Sequence, residues 1–168
     1  MEIYLVRHGL AVERGSKGIA SDAERPLTEE GIRRMRVQAR GLAALECRAK
    51  TVLTSPLVRA VQTAELVRAA LGEGAEVVET PALKPAARPE GALRLIAERE
   101  EPALVLVGHE PFLSEFTSLL LVGDTRMAVD FKKGGACCIV FQDDVAAGKG
   151  TLEWHVPPKA LRSLGRRR

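Results

Sequence analysis

The sequence predicts a three-layer α/β/α domain, with a mostly parallel central sheet and a C-terminal hairpin, and three observations carry that expectation. Segments of strand composition alternate with segments of helical periodicity along most of the chain, the pattern of successive βαβ units. ALVLVGH at 103–109 is the most continuous apolar run, as expected of a central parallel strand covered on both faces. GACCIVFQ and TLEWHV then follow one another with only a polar, Gly-containing turn between them, which reads as a two-stranded hairpin.

Each element has a local reason. EIYLVR (2–7) is a strand, followed by a polar loop over 10–26 rich in Gly, Ser and Asp. Thr28 caps a helix, with Glu29 and Glu30 at its positive end and Leu27 and Ile32 placed as a hydrophobic staple. Ile32, Met35, Ala39 and Leu42 continue it at helical spacing. KTVLT (50–54) is a second strand. Ser55 and Pro56 then supply a cap and first turn for a helix whose buried face is Leu57, Val61, Ala64, Val67 and Leu71. After Gly72 and Gly74, AEVVE forms a short strand, and three prolines make 81–91 a loop. A helix over 90–99 leads to the long apolar strand, and Pro111 starts another helix containing Phe112, Phe116, Leu119 and Leu120.

Size and composition bound the answer. The 168 residues fit one domain, here 1–161, and 46% hydrophobic with 28% charged residues excludes disordered and fibrous designs. No apolar run approaches the ~18 residues of a membrane span, and residues 1–6 lack the basic segment and apolar core of a signal peptide, so a cytoplasmic protein is expected. Cys137 and Cys138 are adjacent and Cys47 stands alone, which disfavours disulfides, and three scattered histidines do not make a structural zinc site. Cys47 is followed by Arg48 and by no glycine-rich loop, so a cysteine-nucleophile phosphatase is not supported. The formal charge of +3 comes from the end of the chain: RSLGRRR, residues 162–168, holds four of the 25 basic residues and no acid. That segment is expected to be a disordered basic tail. With six aromatics and no basic stripe among them, nucleic acid is not an expected partner.

In open α/β sheets, ligands bind at the carboxyl ends of the parallel strands, where helix N-termini converge. Three polar sequences fall at that edge: Arg7-His8-Gly9, SPLVRAVQTA (55–64), and Gly108-His109-Glu110-Pro111. Arg7 and Arg59 offer forked donors for phosphate oxygens, and Gly9 lets the backbone come close. Two histidines offer a nucleophile and a donor, since an imidazole kept neutral by neighbouring cations is a competent phosphorus nucleophile. Each piece alone has a structural reading: a strand-end His is often only hydrogen-bonded, SPxxR is a common helix start, and Glu110 could cap a helix. Two histidines and two arginines at equivalent strand ends are harder to read that way. His155 has no such companions and is expected to be structural.

LVRHG, RPLTEEG, SPLVRAVQTAE and VLVGHEP, in that order, resemble the histidine phosphatase superfamily, and specifically its small phosphohistidine phosphatases of the SixA type. The resemblance spans residue 3 to about 157. It implies a phosphoglycerate-mutase-like fold that agrees with the sheet expected above. Carried over position by position, it implies that His8 is the nucleophile that becomes phosphorylated, that Arg7, Gly9 and Arg59 bind the phosphoryl group, and that His109 completes the pocket as a donor. Ser55, Gln62 and Glu110 stand in matching motifs as supports. No metal or other cofactor is implied.

One departure bears on the substrate. Family members acting on phosphate monoesters carry a Glu in a Leu-x-Glu pattern that protonates the leaving oxygen, whereas this chain has Leu83-Lys84-Pro85 there. The expected partner is therefore a phosphohistidine-bearing phosphorelay or phosphotransfer protein, and the short loops at 10–26 and 72–91 would admit one. Glu13, Asp22, Glu79 and Glu90 lie in those loops or at their edges, and any of them could restore an acid and with it a small phosphorylated molecule as substrate. A catalytically idle module that only recognises phosphate is the reading from a different class.

Overall fold

β1 (Glu2–Arg7), β2 (Thr51–Thr54), β3 (Glu76–Glu79) and β4 (Ala103–Gly108) pair in parallel in the order β3-β2-β4-β1, the mostly parallel sheet that the alternation predicts. The expected hairpin, β5 (Ala136–Val140) and β6 (Thr151–Val156), extends the sheet beyond β1, with β5 antiparallel to both neighbours. The structure is a computed structural model, and it describes residues 1–167.

Alternation along the central strands sorts the core into two layers. Ile3, Leu5, Leu104 and Leu106 face α3 (Pro89–Ala97) and α4 (Phe112–Val122), packing on Ala92, Ile96, Phe112, Phe116 and Leu120. Tyr4, Val6, Val105 and Val107 face α1 (Glu29–Ala44), α2 (Val58–Leu71) and α5 (Pro158–Gly165), packing on Met35, Ala39, Leu42, Ala64 and Leu161. Cys137 and Cys138 fall into opposite layers. All three cysteines are free and buried, and burial pushes each thiol up to about 12, so none is a thiolate near neutrality. Among the described residues no helix is long and apolar enough to cross a membrane.

Most element starts follow their local signals. The Thr28 side chain accepts the Gly31 amide at 2.9 Å, so α1 begins where the cap predicts. α2 is a correction: it begins at Val58 with Leu57 as its cap, two residues after the Ser55-Pro56 start. The Ser55 amide still donates to Val107 O at 3.1 Å, so the chain is extended there, and a residue before proline disfavours helical geometry. The inward face of α2 is also rotated from the one expected. Arg59, Ala60, Thr63, Ala64 and Val67 are buried, while Val61 and Leu71 are only partly so, because two polar side chains turn inward to serve the site described below.

The chain end is a second correction. Residues 162–165, expected to belong to a disordered tail, form the second half of α5, and Arg168 lies outside the described residues. α5 crosses α1 at two glycines: a Cβ on Gly41 would lie 2.0 Å from Leu161 O, and one on Gly165 would lie 2.0 Å from Val37 O. Arg166 and Arg167 are exposed and Arg162 is partly so, while Leu161 is buried, so the described basic groups stay solvated. Gly41→Ala is expected to push α5 off α1 and cost about 1–3 kcal/mol, read as a lower urea midpoint. An unchanged midpoint would mean that the crossing is loose.

Candidate active site

Strand register creates the site. Arg7 pairs with Gly108 across β1 and β4, and the His8 amide donates to Gly108 O at 3.0 Å. The residues that follow these strands, His8 and His109, therefore leave the sheet side by side, with ring centroids 4.9 Å apart and planes tilted by 54°. Arg59, in the first turn of α2, reaches them from the neighbouring strand end. Arg7, His8, Gly9, Arg59 and His109 are thus brought together.

Hydrogen bonding assigns the His8 tautomer. Its Nδ1 lies 2.7 Å from Gly9 O, a group that can only accept, so Nδ1 carries the proton. Nε2 accepts from Arg59 Nε at 3.3 Å, so its one lone pair faces that guanidinium. Burial, and then the charges of Arg59, Arg7 and Lys133, pull the His8 pKa down to about 3 against the opposing bond to Gly9 O. Burial, followed by His8 and Arg59, brings His109 to about 3 as well. Both rings are neutral at physiological pH, and a neutral imidazole can attack phosphorus.

The unsatisfied groups point to an anion. Both ring nitrogens of His109 and Nε of Arg7 are buried without a partner, and buried polar atoms seldom stay unpaired without cause. Arg7 Nη1 donates to Phe131 O, which fixes the guanidinium beside the rings. Sequence reasoning missed Phe131, because a backbone carbonyl arriving from the loop before β5 leaves no residue-type signal.

Thr63 was also missed. Its hydroxyl accepts the Gly9 amide at 3.1 Å and donates to Arg59 O at 2.7 Å, tying the loop after β1 to α2. Its position four residues after Arg59, on the same helix face, was the available signal. A Cβ on Gly9 would lie 3.1 Å from Met35 Cγ, so the small residue there also serves packing against α1. Of the expected supports, none bonds directly to the paired rings. Ser55 Oγ accepts from the Leu57 amide at 3.4 Å within its own turn, and Gln62 Oε1 accepts from the Leu27 amide at 2.7 Å. Glu110 Oε2 accepts from Ser114 Oγ at 2.6 Å.

Asp22 is the loop carboxylate that the fold brings to the pocket. Arg59 donates from Nη1 to Asp22 O at 2.7 Å and from Nη2 to Asp22 Oδ2 at 3.0 Å, while Arg14 and Arg25 both bond Oδ1. Partial burial raises its pKa, but Arg59 and then Arg25 outweigh that and hold the carboxyl below its ordinary range. Asp22 is therefore ionised near neutrality and has no proton to give. Glu13, Glu79 and Glu90 are exposed and hydrogen-bond to no pocket residue. Leu83 O would lie 3.7 Å from a Cβ on Gly108, so the Leu83-Lys84-Pro85 segment does run beside the end of β4, without a carboxylate.

Residues 3–87 match the family model of the histidine phosphatase superfamily, branch 1. The chain belongs to that superfamily. As a histidine phosphatase it is 40% identical over 140 residues to an uncharacterised protein of Picosynechococcus sp., covering 80% of this chain and 82% of that one. It is 26% identical over 165 residues to the phosphohistidine phosphatase SixA of Escherichia coli, covering 96% and 97%. A solved structure of the protein histidine phosphatase SixA complexed with tungstate superposes with a TM-score of 0.82 at 26% identity, covering 96% of this chain and 99% of that one. A phosphoserine phosphatase of Entamoeba histolytica shares the fold at 17% identity and a TM-score of 0.69, covering 95% and 98%.

The neutral rings of this phosphatase make its stability acid-sensitive. Their folded values lie below the ordinary imidazole value of 6.5, so between pH 6.5 and about 3 the unfolded chain binds protons that the folded chain refuses. The stability from keeping them neutral is complete above pH 6.5 and is lost as pH falls through that window. A His8→Asn/His109→Asn double variant should accordingly lose less of its urea midpoint than wild type between about pH 7 and about pH 5. Equal losses would show that the rings are not held neutral.

Proposed function

We propose that this phosphatase removes the phosphoryl group from phosphohistidine on a partner protein, through a covalent phosphate on His8. The observation that carries the reading is a pocket with two neutral imidazoles, two arginines and an ionised Asp22, in which no carboxylic acid is poised to protonate an alkoxide. An alcohol leaving group needs such an acid, typically worth ~10²–10⁴-fold, whereas an imidazole protonated on its far nitrogen leaves neutral. The 26% identity to SixA of E. coli over nearly the whole chain supports the same substrate class.

In the first step the lone pair of His8 Nε2, released from the Arg59 N–H that it accepts in the free protein, forms a bond to phosphorus, and the bond from phosphorus to the substrate nitrogen breaks with its pair going to that nitrogen. Arg59 and Arg7 hold the equatorial oxygens, and a ring N–H of His109 donates to the same group, donors that act most strongly on the pentacoordinate state. Gly9 O keeps the Nδ1 proton in place, so Nε2 is the attacking atom. In the second step water attacks phosphorus, the pair returns to His8 Nε2, one water proton stays on the departing hydrogen phosphate and the other goes to solvent. A small phosphomonoester is the second reading, favoured by the shared fold of the phosphoserine phosphatase. An idle phosphate-binding module would not need a neutral imidazole with its Nε2 unprotonated beside two arginines.

Enzyme quenched during turnover should carry phosphate on His8, lost in acid and stable in alkali as a phosphoramidate, and a chelator should leave the rate unchanged. Label on Ser55, or none, would overturn the double displacement. Arg59→Ala should lower turnover by ~10²–10³, with little recovery in Arg59→Lys because a point charge cannot span two oxygens. Aryl phosphates should react while alkyl phosphates are nearly inert; comparable rates on both would reveal an acid and move the reading to phosphomonoesters.

A further inference from the structure

We infer that Lys133 is a further phosphoryl-binding residue, a third cation that meets the oxygens of the bound group together with Arg7 and Arg59. The inference rests on the phosphoryl site proposed above and is independent of the leaving group.

Placement comes from the backbone. The turn 131–135, just before β5, is fastened to the end of β1 on both sides of Arg7. The Arg7 amide donates to Gly135 O at 3.0 Å, and the Gly134 amide donates to Arg7 O at 3.0 Å and His8 O at 3.1 Å. Arg7 Nη1 adds its bond to Phe131 O. The Gly134 amide belongs to the peptide that follows Lys133, so the Lys133 main chain lies against the residue that carries the nucleophile. Glycine is what lets the turn close there: Gly134 has a φ of +75°, and a Cβ on it would lie 2.7 Å from Nε2 of the buried Gln38.

Two neighbouring lysines on this turn differ in their surroundings. Lys132 pairs with Asp130, the acid of the same segment, at 2.5 Å. Lys133 is exposed and forms no ion pair among the described residues. Its positive charge is felt at the His8 ring, after those of Arg59 and Arg7. Both guanidiniums are already bonded to the protein, Arg7 to Phe131 O and Arg59 to Asp22 and His8. The Lys133 ammonium is the cation beside His8 whose donors are not so engaged.

A phosphoryl group brings negative charge spread over several oxygens, and charge-assisted hydrogen bonds to them are the strong ones. Arg7 and Arg59 offer fixed forks, whereas a lysine is a point charge on a flexible stem. An exposed ammonium stays hydrated in the free protein and can settle on a phosphoryl oxygen once the anion arrives. Such a contact is made to the ground state and the transition state alike, so Lys133 serves binding more than turnover.

The test measures calorimetric binding of inorganic phosphate and the hydrolysis of para-nitrophenyl phosphate. Lys133→Ala should weaken phosphate binding roughly tenfold and lower kcat/KM by a similar factor, with kcat changed much less. The dependence of phosphate affinity on salt should also become shallower. Lys133→Arg should recover most of the loss, because a positive charge within reach is what the contact needs. Lys132→Ala, which removes the neighbouring charge already paired with Asp130, should bind phosphate as wild type does. Unchanged phosphate binding in Lys133→Ala would overturn the inference, as would an equal loss in Lys132→Ala, which would show only the general charge of the turn. An Arg59→Ala variant that binds phosphate as wild type does removes the phosphoryl site itself; a loss in Arg59→Ala with none in Lys133→Ala removes only the role of Lys133.

Discussion

Arg7 stands opposite Gly108 where β1 and β4 run parallel, and the His8 amide closes the ladder on Gly108 O. Parallel pairing puts the ends of both strands at the same edge, so the next residue of each, His8 and His109, must emerge together. β2, on the other side of β4, delivers its following helix to the same edge and with it Arg59. Shifting this register by one residue would exchange the two core layers and carry the imidazoles apart, which is why the core and the site cannot vary independently.

Burial then does the chemical work. Two imidazoles and a guanidinium withdrawn from water lose solvation that only a bound anion or a neighbouring group can replace. His8 and His109 respond by staying neutral, and Arg59 responds by binding Asp22. The same desolvation that keeps Nε2 unprotonated also leaves ring nitrogens of His109 and Nε of Arg7 without a protein partner.

Local signals located most of the framework. Thr28 capped α1, the apolar runs in EIYLVR and ALVLVG marked the central strands, and the adjacent cysteines divided between the two faces as a strand requires. What failed were places where a long-range contact overrides a local preference. Ser55 stays extended because Val107 accepts its amide, and α5 folds because glycines at 41 and 165 let two backbones touch. Its place at the chain end argued for disorder there, and nothing in RSLGRRR announces the partner that Gly165 needs.

The sequence by itself determined which residue types stand at strand ends, because a cation or imidazole closing an apolar run is visible in one dimension; Arg7, His8 and His109 were legible for that reason, and Arg59 from the SPLVR helix start that follows β2, together with the family they mark. Tertiary structure alone decided what those groups touch. The Nδ1 proton on Gly9 O, the Phe131 carbonyl on Arg7, the Thr63 tie to Gly9, and above all the choice of Asp22 from four loop carboxylates depend on residues between one and 124 positions apart meeting in space. A carboxylate reads alike in sequence whether it donates a proton or holds a charge. Three arginines folded around Asp22 are the physical reason that it holds the charge.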